Sequence, residues 1–227
     1  MKSNIRRSDA ELKTDVLAEL KYEPSVKVTD IGVLAKDGAV TLNGYVASYG
    51  EKWDAVSAAK RVAGVTAIAD DIEVKLPDSV RRTDGEIAAA AANQIDWSTT
   101  MPRGTVQVTV REGRVSLDGQ VEWWYQKNAA ESAVQYLAGV KGVTNMITIM
   151  PKLSPVDIET EIHSAFKRNA LFDANKVQVT TTGNTVTLRG KVRNYGERDE
   201  AERVAWAAPG VCSVDNQLKV DWSWFAG

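Results

Sequence analysis

The stretch Val40-Thr41-Leu42-Asn43-Gly44-Tyr45-Val46 returns twice later in the chain, as Val115-Ser116-Leu117-Asp118-Gly119-Gln120-Val121 and as Val186-Thr187-Leu188-Arg189-Gly190-Lys191-Val192. The three glycines are 75 and 71 residues apart. Apolar residues alternate with polar ones in each copy, which is typical of a half-buried β-strand. One strand-forming segment is therefore present three times.

The residues around this segment are copied in the same register. Three 67-residue copies align without an insertion or deletion: residues 8–74, 83–149 and 154–220. We name them repeat 1, repeat 2 and repeat 3. A unit of this size is near the lower limit of independent folding. We predict three domains, at residues 1–77, 78–150 and 151–227.

Each repeat opens with an amphipathic helix. In repeat 1, Ser8 and Glu11 have the spacing of a capping box, in which each side chain satisfies a free backbone amide of the other residue. Apolar residues then recur at the period of a helix, which predicts one buried face. These faces are Leu12, Val16 and Leu20 in repeat 1, Ile87, Ala91 and Ile95 in repeat 2, and Ile158, Ile162 and Phe166 in repeat 3.

A hairpin, a second helix and a third strand follow. Tight turns that favour positive φ are predicted between the first two strands, at Asp37-Gly38, Glu112-Gly113 and Gly183-Asn184. An alanine-rich face then predicts a helix that packs closely on a sheet. The end of this helix is predicted by a glycine just beyond it, at Gly64, Gly139 and Gly210. The order helix, strand, strand, helix, strand predicts an α+β chain of three tandem α-β-β-α-β modules.

Gly44, Gly119 and Gly190 have two interpretations. A strand glycine can mark the close approach of a ligand, or a bulge or tight packing contact. We interpret all three as structural, each marking either a bulge or a tight contact with the alanine face of the second helix.

The bulk properties exclude several classes of protein. Net charge is -2 and no repeat has a strong excess of either sign, which argues against a nucleic-acid binder. Cys212 is the only cysteine, so no intrachain disulfide can form. The N-terminal residues lack the apolar run of a secretory signal, so we expect the chain to stay where it is made unless a signal was removed before residue 1.

The repeat resembles the BON domain, a bacterial domain of osmotically inducible and nodulation-related proteins. The resemblance is carried by the V-x-L-x-G-x-V stretch, by a closing G-V-x-x-V-x-N/D-x-I/L pattern, and by a polar pair at Glu51-Lys52, Gln126-Lys127 and Glu197-Arg198. It implies two helices packed on a three-stranded mixed sheet in each module. It also implies a non-enzymatic protein of the bacterial envelope, tied to osmotic stress and phospholipid surfaces, and periplasmic if a signal was removed.

Repeat 2 departs from its siblings in aromatic content. Trp123 stands where repeats 1 and 3 have Ser48 and Asn194. It is followed by Trp124, Tyr125 and Lys127, while Trp97 and Arg103 come earlier in the same repeat. Trp and Tyr prefer the membrane interface, where Lys127 or Arg103 could meet lipid phosphates. Alternatively, these rings are buried against a neighbouring repeat or a second chain. An aromatic at the position of Trp124 also recurs as Tyr49 and Tyr195, and we expect each to cap its own core.

The sequence contains no constellation that suggests catalysis. His163 is the only histidine, which is too few for a site of the transition-metal type, and Cys212 has no accompanying base. We therefore predict no catalytic residue, metal or cofactor. The predicted function is peripheral binding of an anionic phospholipid surface by a non-enzymatic protein. The alternative is a protein-interaction scaffold or homo-oligomer that uses the same aromatic surfaces.

Overall fold

A computed structural model describes residues 8–99, 101–150, 158–168 and 176–221. Three separate sheets are found in this part of the chain, one in each repeat. The chain divides into two compact units, one combining repeat 3 with most of repeat 1, and the other combining repeat 2 with the remainder of repeat 1.

The helices and strands follow the predicted order. Repeat 1 contains α1 (Asp9–Tyr22), β1 (Ile31–Lys36), β2 (Ala39–Val46), α2 (Tyr49–Arg61) and β3 (Ala67–Val74). Repeat 2 contains α3 (Asp84–Asp96), β4 (Val106–Arg111), β5 (Arg114–Val121), α4 (Trp124–Gln135), β6 (Gly142–Asn145) and β7 (Thr148–Ile149). Repeat 3 contains α5 (Ile158–Arg168), β8 (Val177–Thr182), β9 (Thr185–Val192), α6 (Tyr195–Ala207) and β10 (Ser213–Val220).

The second strand is central in every sheet, and the third strand pairs with it rather than with the first. The strand orders are β1-β2-β3, β4-β5-β6 and β10-β9-β8. The hairpin strands β4 and β5 are antiparallel, as are β8 and β9, whereas β6 and β10 run parallel to their central strands. The short β7 continues the line of β6 along β5. The prediction of three tandem α+β modules with mixed sheets is confirmed.

The predicted helix faces form the cores. The three face residues of each first helix are all buried, as are most of the inward-facing residues of the central strands. The capping boxes at Ser8 and Thr83 are both present, with the side chain of the third helical residue accepting a bond from the capping residue. The cap predicted for repeat 3, at Ser154 to Asp157, lies outside the described residues.

The hairpin turns of repeats 1 and 2 have the expected conformation. Asp37 and Gly38 have φ of 52° and 85°, and Glu112 and Gly113 have 53° and 78°. An aspartate in the first turn of the preceding helix holds the repeat 2 turn, since the Asp84 carboxylate accepts bonds of 2.8 Å from both turn amides.

Repeat 3 anchors its turn differently. Gly183 has φ of 59°, but Asn184 does not have positive φ. The Asn184 side chain instead donates a 2.6 Å bond to the carbonyl of Gly210, at the end of the second helix. Pro155 occupies the position of Asp84 in this repeat and cannot supply a carboxylate.

The strand glycines pack against backbone rather than against a helix. Gly44, Gly119 and Gly190 have φ of 119°, 146° and 135°. A Cβ at each would overlap a carbonyl oxygen just before the neighbouring strand, namely that of Asp30, Thr105 or Lys176. The close neighbour is therefore the adjacent strand entry and not the alanine face of the second helix.

Candidate binding surface in repeat 2

The topology of repeat 2 gathers several sequence-distant segments at one end of its sheet. Asp84, at the start of α3, holds the β4–β5 turn at the opposite end. The C-terminal end of α3 therefore points away from that turn, toward the place where β5 ends and α4 begins. Trp97 is the C-cap residue of α3 and lies at this end.

Two backbone hydrogen bonds tie the other segments to the same end. The Gln120 amide donates to the Thr105 carbonyl at 3.3 Å, which fixes the loop after α3 beside the end of β5. The Met150 amide donates to the Val121 carbonyl at 2.8 Å, just before the start of α4. We call this region the aromatic end and define it by six residues: Trp97, Arg103, Trp123, Trp124, Tyr125 and Met150.

The aromatic side chains at this end are partly or largely exposed. Trp97 is 85% exposed and Tyr125 is 51% exposed, whereas Trp123 and Trp124 are half-buried. The rings of Trp123 and Tyr125 stack, with centroids 6.5 Å apart and planes at 25°. The structure thus brings Trp123 and Tyr125 into direct contact and places Trp97 at the same end.

The two predicted cations differ in setting. Arg103 is exposed in the loop after α3. Lys127 is half-buried in the first turn of α4, and its backbone carbonyl accepts a 3.0 Å bond from the Asn145 side chain. Arg103 therefore offers its guanidinium to solvent, while Lys127 also takes part in holding the third strand to α4.

The start of α4 keeps a side-chain acceptor for its backbone amides although Trp123 occupies the capping position. The equivalent residues Ser48 and Asn194 accept bonds of 3.1 and 2.8 Å from the amide three residues later. An indole has no oxygen with which to do this. In repeat 2, the buried Gln126 accepts 3.0 Å bonds from the amides of Glu122 and Trp123. The helix start is thus held by its third residue, and the capping position is occupied by a large ring.

Two methionines complete the apolar surface and were missed by the sequence analysis. Met146 is 50% exposed and Met150 is 57% exposed. Repeats 1 and 3 have polar residues at these positions: Asp71 and Gln217 for the first, Lys75 and Asp221 for the second. Aligning the three repeats along the last strand, and not only at the start of α4, would have revealed them.

In repeats 1 and 3, the residue at the position of Met150 makes a polar contact with a residue of the central strand. In repeat 1, the Lys75 ammonium lies 3.1 Å from the centroid of the Tyr45 ring. In repeat 3, the Lys191 ammonium is 2.6 Å from the Asp221 carboxylate. The corresponding pair in repeat 2 is Gln120 and Met150, which can form neither a cation–π contact nor an ion pair.

The aromatic predicted to cap its own core has a wider role in repeat 3. The Tyr195 hydroxyl donates a hydrogen bond to the carbonyl of Thr66 in repeat 1, and both residues belong to the same compact unit. Nearby, the Lys60 ammonium lies 4.0 Å from the Asp199 carboxylate, and burial raises the pKa of Asp199. This surface joins two repeats.

A cavity of about 410 Å³ lies between α5 and α6 of repeat 3. In repeat 1, the corresponding helices are α1 and α2. Arg61 of α2 bridges them through Glu19 at 2.9 Å and through Glu23, the residue that follows α1, at 3.0 Å. Repeat 3 has Ala165 and Ala207 in place of Glu19 and Arg61, which leaves the groove open. The groove is lined by small apolar residues together with three charged ones, Glu161, Arg168 and Arg203.

Within the described ranges, no group of three or more side chains is arranged to hold a metal ion. Across the same residues, none of the helices combines the length and the apolar character that a membrane span requires. The aromatic end presents partly or largely exposed rings, one thioether and a guanidinium.

A sequence profile of the BON domain matches three segments of the chain: residues 8–75, 83–151 and 155–221. The chain belongs to the BON domain family. This confirms the resemblance carried by the repeated glycine stretch and places the chain in a protein family related to osmotic stress.

Among characterised proteins, the chain is similar to the osmotically-inducible protein Y of Escherichia coli K12. The two are 33% identical over 141 residues, which span 60% of this chain and 70% of that protein. Among solved structures, it is similar to CdsD, a structural protein of the type III secretion system of Chlamydia trachomatis. The two are 11% identical, the match covers 93% of this chain and 92% of that one, and the TM-score is 0.26. A match to the C-terminal domain of CdsD has 14% identity, covers 94% of this chain and 99% of that one, and has the same TM-score.

Proposed function

We propose that this BON protein is non-enzymatic and associates peripherally with phospholipid surfaces of the bacterial envelope through the aromatic end of repeat 2. The observation that carries the proposal is that large amphipathic and apolar side chains stand, partly or largely exposed, at positions where both siblings are small or polar. Trp123, Tyr125 and Met150 replace Ser48, Gly50 and Lys75 of repeat 1. Three such replacements at one end of one module favour a binding surface over chance.

The chemistry of the side chains supports a membrane interface. Trp and Tyr are enriched at the level of the lipid headgroups, where the ring is in an apolar setting and its polar tip stays hydrated. Arg103 and the Lys127 ammonium supply positive charge for anionic headgroups. Because the whole chain carries a net charge of -2, this attraction is local and is expected to weaken as salt screens it.

The expected binding is weak and reversible. Burial of apolar surface contributes about 25 cal/mol per Å², and partial insertion of two rings and one thioether gives a few kcal/mol. An affinity of about 4 kcal/mol corresponds to a dissociation constant near 1 mM. This is the range of peripheral attachment by side chains, well short of a membrane-spanning helix.

Vesicle co-sedimentation tests the proposal. The full chain is mixed at low salt with vesicles of phosphatidylglycerol and phosphatidylcholine, and compared with the triple variant Trp123→Ser, Tyr125→Gly, Met150→Lys. The variant takes the residues of repeat 1, so its fold should be retained. We expect the wild type to sediment with anionic vesicles and the variant to remain in solution.

Tyr22→Ser provides a matched control. Tyr22 occupies in repeat 1 the position of Trp97 and is equally exposed, at 85%. Its removal should leave vesicle binding unchanged. Equal binding by the wild type and the triple variant, or no binding at low salt, would contradict the proposal.

The second candidate is a homo-oligomer or protein scaffold that uses the same surface. Met146 and Met150 favour it, because they are exposed beside the short edge strand β7, and edge strands can pair with another chain. Light scattering distinguishes the two functions. A mass above that of one chain, reduced by Trp123→Ala, would support the oligomer, whereas a monomer unaffected by this change would count against it.

The domain boundaries belong to the same proposal. We propose that residues 1–77, 78–150 and 151–227 are the three structural domains. Limited proteolysis that begins between Lys75 and Arg82 would agree with the first boundary. Preferential cutting inside α4 would contradict it.

A further inference from the structure

We propose that Met146 and Met150 form a modification site that reacts with two-electron oxidants of the peroxide class in the folded protein. Both would be converted to methionine sulfoxide, and the sulfoxides would weaken binding by the aromatic end. The modification follows from the exposure of the side chains. Its effect on binding rests on the proposed lipid-binding function.

The three methionines in the described ranges differ sharply in access. Met146 and Met150 are 50% and 57% exposed, whereas Met101 is 6% exposed. Oxidation of a thioether requires contact with the oxidant, so reactivity follows exposure. Met101 is therefore an internal reference that lies in the same repeat and should react last.

The backbone around both residues is held by the central strand. The amides of Met146 and Met150 donate 2.8 Å bonds to the carbonyls of Leu117 and Val121. Between them, Ile147 and Ile149 are buried while Thr148 is exposed, so the methionines share the outward face with Thr148. A polar oxygen added on this face stays in solvent and leaves the core untouched.

The proposed reaction is a simple oxygen transfer. The sulfur lone pair attacks one oxygen of hydrogen peroxide, an S–O bond forms, and the O–O bond breaks. The remaining oxygen leaves as water after proton transfer, so sulfur is oxidised by two electrons and the peroxide is reduced by two. The product side chain is polar in place of apolar.

The sequence context sets this surface apart. Repeats 1 and 3 carry only polar residues at the two positions, none of which is an oxidisable thioether. The two exposed methionines flank β7, beside the end of β5, and give repeat 2 an apolar surface that an oxidant can convert into a polar one. Conversion of Met150 adds a polar group within the aromatic end itself.

The first experiment maps oxidation by mass spectrometry after brief exposure of the folded full chain to hydrogen peroxide. We expect one added oxygen at Met146 and at Met150 well before any at Met101. In urea, the three residues should react at similar rates, because burial no longer protects Met101. Similar rates in the folded protein, or no oxidation at Met146 and Met150, would overturn the proposal.

The second experiment measures binding of the oxidised chain to phosphatidylglycerol vesicles. We expect a loss of about tenfold in affinity for the wild type, because two thioethers become polar. The double variant Met146→Leu, Met150→Leu keeps apolar side chains but has no thioether at either position, and its own affinity should be the same before and after peroxide treatment, which excludes damage elsewhere.

The two failures can be told apart. If the untreated chain does not bind vesicles, the proposed function fails, while the mapping still decides whether the site is modified. If untreated and oxidised chains bind equally, the regulatory consequence is wrong although lipid binding stands. Loss of binding in the oxidised double leucine variant would also contradict it.

Discussion

Repeats 2 and 3 share one backbone plan but present different chemistry at the same end of the sheet. In both, the glycine of the central strand packs on the backbone before the first strand, and the third strand is parallel to the central one. Trp123, Tyr125 and Met150 of repeat 2 correspond to Asn194, Gly196 and Asp221 of repeat 3. Positions that determine the fold are thus kept, while the end of the module varies.

Where repeat 2 has Trp123 in place of Asn194, the backbone amides at the start of the second helix are bonded differently. Repeat 3 uses both Asn194 and the buried Glu197, whose carboxylate accepts a 2.7 Å bond from the Arg193 amide. Repeat 2 uses the side-chain oxygen of Gln126 for the amides of both Glu122 and Trp123. A neutral amide can replace a carboxylate here because the essential requirement is an oxygen that accepts from backbone amides. The comparison teaches that a large ring was accommodated without losing the cap.

The largest expected effect tests the backbone plan that the two repeats share. Gly119→Ala places a methyl group against the Thr105 carbonyl and imposes a φ of 146° on a residue with a Cβ. We expect a loss of about 3 kcal/mol in the stability of repeat 2. Hydrogen exchange measures this by repeat, with repeat 3 as the reference. Gly85→Ala is the control, since open space surrounds its Cβ. An equal effect of the two changes would show that the backbone plan does not require a glycine at position 119.

The second prediction separates the two ways of capping. Gln126→Ala leaves the amides of Glu122 and Trp123 without their acceptor, and we expect repeat 2 to lose about 2 kcal/mol. Urea unfolding provides the measurement. Glu197→Gln copies the repeat 2 solution into repeat 3 and should cost much less. If Gln126→Ala had no effect, the proposed compensation for Trp123 would be wrong.

Much of this fold could be predicted because its determinants are local. Helix caps, apolar periodicity and turn residues act over a few positions, so Ser8, the Leu12 face and Asp37-Gly38 were readable from sequence. Triplication strengthened the prediction, since each signal recurred in register. Strand order was not readable, because the choice between the two hairpin strands depends on packing between distant segments.

The candidate surface was only partly predictable for the same reason. Trp123 was visible as a departure from Ser48 and Asn194 at a single aligned position. Met150 joins this end through a hydrogen bond to Val121, a contact between residues far apart in sequence. The contact between Tyr195 and Thr66 is also long-range and has no local signal. The closeness of Tyr136 to Gly50, where any Cβ would overlap the ring, is a further example.

The third prediction extends the comparison to repeat 1. In repeat 2, the Asn145 side chain donates a 3.1 Å bond to the Glu131 carboxylate. In repeat 1, Asp70 stands at the position of Asn145 and Val56 at that of Glu131, so this pair of positions also holds a single acid. Asn145→Asp would oppose two carboxylates, and we expect a loss of about 1.5 kcal/mol.

Adding Glu131→Val to this variant provides the control. The double change recreates the pairing of repeat 1, and we expect it to recover much of the lost stability. Urea unfolding of the four proteins gives the interaction energy between the two sites. Additive losses would show that the two side chains are not coupled and that the correspondence with repeat 1 has no energetic meaning.

The smallest effect concerns the start of α3, which is exposed. The Thr83 backbone amide and hydroxyl donate bonds of 2.8 and 2.9 Å to Glu86, and these hold the pKa of Glu86 below its ordinary value. A lowered folded-state pKa means that the carboxylate stabilises the fold above the unfolded-state pKa. That contribution is lost as pH falls through the lowered value.

Glu86→Gln should therefore be slightly less stable than wild type at neutral pH, and the difference should vanish in strong acid. Urea midpoints across this range provide the measurement, with Glu112→Gln, in the exposed turn, as the control. Equal stability of the two proteins at every pH would mean that the charge of Glu86 has no role, and that its side-chain oxygen alone holds the start of the helix as that of Gln126 does in α4.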